Sequence, residues 1–208
     1  MNNKFITSIN DFIKKYHLYA FKDVAIFMII ILFFHVLWKI FISDVVAHEF
    51  YQNSTDFLAR KVYNASVWFL QAINIDISTF DELSIGDRLR KNVIFYAANN
   101  GFVAVGQSCS GLKQFYQWVF LMLLYPGPWK HKLWFIPFGL LIIHIVNIFR
   151  IITMTFVTIN IPQHWDFTHD WIMRPFFYVV MFALWVQWNE KFYLKNKELK
   201  ANKKKADQ

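Results

Sequence analysis

Three side chains able to do covalent or acid–base chemistry stand out by where they fall in this sequence. Cys109, in the stretch Ala104–Trp118 (AVGQSCSGLKQFYQW), is the one cysteine among 208 residues. With no second cysteine it forms no internal disulfide, so it is either a small inert hydrophobe or a reactive thiol. Its surroundings make the two equally plausible. Ser108 and Ser110 flank it and can cap the helix that follows, whose N-terminal amides would stabilise a thiolate. Gly101, Gly106 and Gly111 lie close by, three of the six glycines in the chain, and they allow sharp turns or a close approach to a ligand.

Arg150, in HIVNIFRII, is either a cation snorkelling to the headgroups or a fixed guanidinium. Asn147 precedes it by one helical turn on nearly the same face, placed to orient it. An arginine held in that way can grip a carbonyl oxygen or an oxyanion, and its charge lowers the pKa of a nearby thiol. His169, in FTHDWIMRP, is either an interfacial imidazole or the base that takes the thiol proton and returns it to a leaving amine. Asp170 or Asp166 can orient the ring, His164 is a competing base, and Arg174 pairs with Asp170 at i, i+4.

The elements that must position these groups are set by composition. Hydrophobic residues make up 56% of the chain, aromatics 20% and charged residues only 17%, too apolar for an ordinary soluble domain, so the excess faces lipid. The apolar blocks are Val24 to Ile42, Leu112 to Tyr125, Leu133 to Ile161 and Trp171 to Trp188. Most approach the roughly 20 residues that cross a bilayer, whereas the second is short and begins inside protein. The first is too long for a signal-peptide core and lacks a small-residue cleavage site after it, which makes it a retained anchor. Phe57 to Ile75 carries an apolar stripe (Leu58, Val62, Ala65, Phe69, Ala72) among polar residues and is expected to lie at the interface.

Charge supplies the topology. Lys4, Lys14, Lys15 and Lys22 precede the first block, and seven lysines (191, 195, 197, 200, 203, 204 and 205) follow the last, within a net charge of +8. Four spans put both tails and the turn carrying Lys130 and Lys132 in the cytoplasm, consistent with the positive-inside bias, whereas a fifth would export one tail. His35, His144 and Lys39 are expected in the bundle interior or snorkelling, and tryptophans near span ends form interfacial belts. Cys109, Arg150 and His169 then share the outer side. Arg150 lies 17 residues beyond Leu133, about 26 Å of helix rise. Asn99, Asn100 and Gly101 between two β-prone runs predict a small outer hairpin leading into Cys109.

The expected fold is therefore an all-α polytopic membrane protein with about four transmembrane helices, an amphipathic interfacial helix and a small outer β-hairpin. It forms a single integral membrane domain over 1–208. Within it, 1–22 is a basic cytoplasmic tail, 44–110 the outer segment, 111–188 the helical core and 189–208 a second basic cytoplasmic tail. The basic tails read as topology signals or ligands for anionic lipid, and no nucleic-acid partner is expected. Neither a metal site nor a cofactor is expected: no His or carboxylate spacing fits zinc or iron.

CSGL at Cys109–Leu112 opening a span, NIFR at Asn147–Arg150 in the next and His169 opening the one after resemble the exosortase/archaeosortase family over roughly Gly101 to Trp188. The short chain resembles Bacteroidetes-type bacterial forms. The resemblance implies a membrane cysteine protease or transpeptidase at the outer (periplasmic) face of the bacterial plasma membrane. Its substrates would be exported proteins with a C-terminal motif, a transmembrane helix and a basic cluster. Cys109 would be the nucleophile, Arg150 the essential cation and His169 the acid/base, with Ser108, Ser110, Gly111, Asn147 and Asp170 in support. A thioester on Cys109 would pass the substrate to an envelope acceptor, such as a lipid-linked one, or to water. A lipid-phosphatase pattern fits less well, since Arg174–Pro175 falls after the other elements and CSGL lacks the histidine. The non-enzymatic alternative is an envelope-assembly or lipid-binding component with a structural Cys109.

Overall fold

The computed structural model describes residues 19–206. Lys4, Lys14 and Lys15 of the expected N-terminal tail lie outside the described residues, as do the side chains of Lys200, Lys203, Lys204 and Lys205. Helix α1 (Tyr19–Ala47) is followed by α2 (Glu49–Ala72), then by strands β1 (Ser78–Ile85), β2 (Arg88–Tyr96) and β3 (Gly101–Ala104). A 3-10 turn (Gln107–Cys109) leads into α3 (Leu112–Leu124), which is followed by α4 (Trp129–Asn160). The remainder is a helical run of α5 (Trp165–Phe167), a π-helical segment (Thr168–Met173), α6 (Arg174–Trp188), a second π segment (Asn189–Leu194) and α7 (Lys195–Ala206).

Lys22–Phe41 of α1 and Trp129–Asn160 of α4 are each long and apolar enough to cross a bilayer. Their outward faces carry Ile29, Leu32, Val36 and Ile40, and Leu133, Leu141 and Ile145, all exposed. A contiguous apolar surface of that kind belongs against lipid. Helix α3, at 13 residues, rises only about 20 Å, and α6 is extended at both ends by π turns. The helices alternate in direction. At one end the Tyr125 hydroxyl meets Asn189 Oδ1 at 2.9 Å and the Trp188 indole donates to the Pro126 carbonyl at 3.3 Å. At the other end the start of α3, the C-terminal half of α4 and the π segment before α6 come together.

Two apolar cores result. An inner one packs Trp118, Tyr125, Phe135, Trp185 and Trp188 between α1, α3, α4 and α6. Gly139 permits the closest helix approach there, since a Cβ on it would meet the Trp118 indole at 2.2 Å. Lys132, expected in a cytoplasmic turn, is 3% exposed. Its ammonium donates to the Leu123 and Tyr125 carbonyls, capping α3. An outer core joins Ala59, Val62 and Leu70 of α2 to Ile94, Val103 and Val105 of the sheet segment and Ile151 and Ile152 of α4. Helix α2, expected over Phe57 to Ile75 at the interface, starts eight residues earlier than its apolar stripe suggested.

The expected hairpin is β2–β3, closed by Ala97–Asn100 with Tyr96 opposite Gly101. It is one half of a three-stranded antiparallel sheet, because β1, not anticipated, pairs with β2 through the Gly86–Asp87 turn. Asn99 fastens the sheet to α4. Its Nδ2 donates to the Thr158 and Ile159 carbonyls at 2.8 and 3.1 Å, satisfying acceptors left open at a helix C-terminus.

Candidate active site

The thiol is delivered by the sheet. Asn92 adopts a positive φ of 52° within β2. Its carbonyl accepts the Val105 N–H at 3.0 Å while its side-chain amide donates to the Val105 carbonyl at 3.2 Å. Val105 is fully buried, so the chain leaving it has a fixed starting point. The 3-10 turn follows at once, closed by the Cys109 N–H on the Gly106 carbonyl at 2.9 Å.

Two contacts then hold that turn against the helices. Asn147 Nδ2 donates to the Cys109 carbonyl at 2.7 Å. Ser110 Oγ accepts the Leu112 N–H at 3.3 Å, the cap expected of it. Ser108 does not cap α3; its hydroxyl lies 3.9 Å from Cys109 Sγ. Gly111 has φ 81°, and a Cβ there would sit 3.0 Å from Asn147 Nδ2. A side chain at Gly111 would therefore be strained and would crowd the contact that anchors the thiol backbone. Asn147 was expected to orient Arg150. It instead reaches the loop 38 residues earlier.

Arg150 is 8% exposed and lies ten residues before Asn160, the end of α4. Its guanidinium is thus held inside the protein rather than extended towards solvent. Its Nη2 lies 2.7 Å from His169 Nε2. A guanidinium has only donors, so Nε2 accepts and the ring proton resides on Nδ1. That nitrogen lies 2.6 Å from Asp170 Oδ1, and Asp170 also meets Arg174 at 3.1 Å, the i, i+4 pair expected. The hydrogen bond from His169, reinforced by the positive charge of Arg174, holds the Asp170 carboxyl below the usual carboxylate range.

The imidazole stacks on Trp165, with ring centroids 4.9 Å apart and planes 7° from parallel. His169 belongs to the π segment, whose wider turn re-aims a side chain without ending the helix. Asp166 and His164 are exposed, and neither lines the cleft described next.

Cys109, Arg150 and His169 line one cleft of about 570 Å³, walled by β3, Met154, Thr158 and Trp165. Ser108 lines it as well, whereas Asn147, Ser110, Gly111 and Asp170 act from behind the lining residues. Trp165 and the π turn had no signal in the spacing of polar residues.

A cleft that combines a thiol, an imidazole of fixed tautomer and a buried guanidinium suits acyl transfer. No curated protein and no solved structure matches the chain. The family model described as transmembrane exosortase matches residues 22–186. That range holds all of the cleft and the inner core up to Trp185, and the family implies a cysteine-dependent membrane peptidase or transpeptidase. The chain belongs to the transmembrane exosortase family.

Proposed function

We propose that the protein is a four-span exosortase of the bacterial inner membrane that cleaves the C-terminal sorting signal of exported proteins through a thioester on Cys109. Both termini are cytoplasmic and the cleft opens outward. The observation that carries this reading is the shared cleft: residues 109, 150 and 169, from three separate segments, line it together.

In the resting site the lone pair of His169 Nε2 is occupied by Arg150. The thiol displaces the guanidinium, and its proton moves to Nε2 as sulfur attacks the substrate carbonyl. The imidazolium so formed repels Arg150, whose fork turns to the developing oxyanion. Asp170 balances the imidazolium through Nδ1. The proton then passes to the leaving amine, the C–N bond breaks and the thioester remains. An acceptor amine, hydroxyl or water attacks it with its proton going to His169, and the thiolate leaves and is reprotonated. The substrate helix diffuses in the bilayer, which aligns its outer end with the cleft.

The test is mass spectrometry of membranes holding the protein and a co-expressed exported protein bearing a hydrophobic C-terminal helix and basic cluster. A hydroxylamine-labile adduct on Cys109, absent from Cys109→Ala, is the expected result. Unchanged processing by a stably accumulated Cys109→Ala would overturn the reading in favour of a non-enzymatic envelope component.

A further inference from the structure

Arg150 and His169 have a second side. A separate cleft of about 440 Å³ is lined by Lys113, Arg150, His169 and Arg174 and does not include Cys109. Ser108 lies on the margin between the two clefts. Three cations thus line one space, and among the described residues none of the lining side chains is an Asp or Glu. Asp170 is engaged from behind by His169 and Arg174. Lys113 makes no ion pair among the described residues; its ammonium lies 5.7 Å from the Trp38 ring centroid.

Two residues that line this space also carry buried, unmatched donors. Gln117 is 2% exposed and its Nε2 has no hydrogen-bond partner, and the same is true of Nε in the 8% exposed Arg150. Buried donors are ordinarily paired, so two orphans beside converging cations mark the place of an absent acceptor. The donors approach from α3, α4 and the start of α6, more directions than the two oxygens of a carboxylate can serve. A tetrahedral anion has enough oxygens. Phe177 and Met181 give the cleft an apolar wall towards the bundle, which suits an attached hydrocarbon chain.

We propose that this second cleft binds a phosphate group, carried by a lipid headgroup or free, between Lys113, Arg174, Gln117 and the buried edge of Arg150. Resting on the catalytic reading above, this makes the cleft the acceptor side of the site. A phosphate-bearing amphiphile held there presents its amine or hydroxyl across the Ser108 margin to the thioester, beside His169 Nε2. The acceptor gives its proton to Nε2, forms the new acyl bond as the C–S bond breaks, and leaves the thiolate to recover that proton.

Binding is measured on the purified full-length protein in a phosphate-free detergent, by native mass spectrometry and phosphorus NMR. The probes are phosphatidic acid, diacylglycerol and inorganic phosphate. Phosphatidic acid is expected to bind and diacylglycerol not, with affinity falling at least about tenfold in Lys113→Gln and in Arg174→Gln. Lys113→Arg retains binding, as does Lys61→Gln on the distant α2. Inorganic phosphate that competes identifies free phosphate as a sufficient ligand; phosphate that fails to compete assigns the site to the lipid headgroup. Equal binding of phosphatidic acid and diacylglycerol overturns the proposal, as does wild-type binding by Arg174→Gln, whose exposed side chain leaves the fold intact. A Cys109 adduct without phosphate binding refutes only the second cleft. Phosphate binding without an adduct refutes only the catalytic reading.

Discussion

The inner and outer cores of this protein hold their elements by different means. The inner core is a mesh of large rings: Tyr125 meets Trp185 edge-on at 5.5 Å, and Phe135 meets Trp188 at 5.2 Å. Lipid tails are as apolar as the helices, so association there depends on dispersion between close-packed surfaces, and broad aromatic faces supply it. The outer core uses smaller residues, such as Ala59, Val62, Val103 and Ile151, and is crossed by directional polar contacts from Asn92, Asn99 and Asn147. Dispersion holds helices together over a range of offsets, whereas a carboxamide accepts one geometry. The inner core therefore provides cohesion and the outer one provides placement, and the candidate site lies where α4 passes from one to the other.

That division can be broken from either side. Trp118→Ala should be the most damaging change, costing about 3–5 kcal/mol of stability from its fully buried ring. Denaturant titration of the detergent-solubilised protein would measure it, and a loss below about 1 kcal/mol would show that the rings are not what holds the bundle. Arg150→Lys should keep both cores yet slow substrate processing about 100- to 1,000-fold, because an ammonium cannot reproduce the fork at His169 and at an oxyanion. Rates of cleavage at matched protein levels would decide it.

Asn147→Ala comes next, with processing expected to fall about tenfold for loss of one buried hydrogen bond to the Cys109 carbonyl. If its melting temperature drops as far as that of Trp118→Ala, placement and cohesion are not separable. The smallest effect belongs to Asp170. Its carboxyl is held below the usual range, so its contribution is complete above the unfolded value of about 3.9 and is lost as pH falls through the lower, folded value. The difference in unfolding midpoint between the protein and Asp170→Asn should stay flat down to about pH 4 and close only below it. A difference that closes between pH 7 and 5 would mean that another group controls the pair.

The inner core was more legible in the sequence than the outer one. Long apolar blocks fix the existence of α1 and α4; Pro128 and Pro162 bracket α4, whereas α1 runs five residues past its apolar block at each end, through Lys22, Asp23 and Asp44. The β2–β3 hairpin was visible through Asn100–Gly101. Strand β1 was not, since STFDELSI is exposed at most positions and so lacks the alternation that betrays a half-buried strand. Asn147 shows why placement is harder to read: a polar residue one turn before an arginine suggests a local pair, but its partner is set by a loop folding back from far along the chain. Lys132 misleads similarly, since a lysine beside a predicted turn reads as a charge signal until burial shows it capping a helix.

Asn147 and Arg150 also make α4 a ruler. One helix carries both the anchor of the thiol's backbone and the guanidinium, spaced by three residues. When the bilayer thins or thickens, a long span tilts to match it. Cys109 and Arg150 then move as a pair, while His169 travels with a different helix. The separation that responds to membrane thickness is thus the one between Cys109 and His169, which makes the proton transfer proposed between them, rather than the binding of substrate, the quantity that lipid composition would tune.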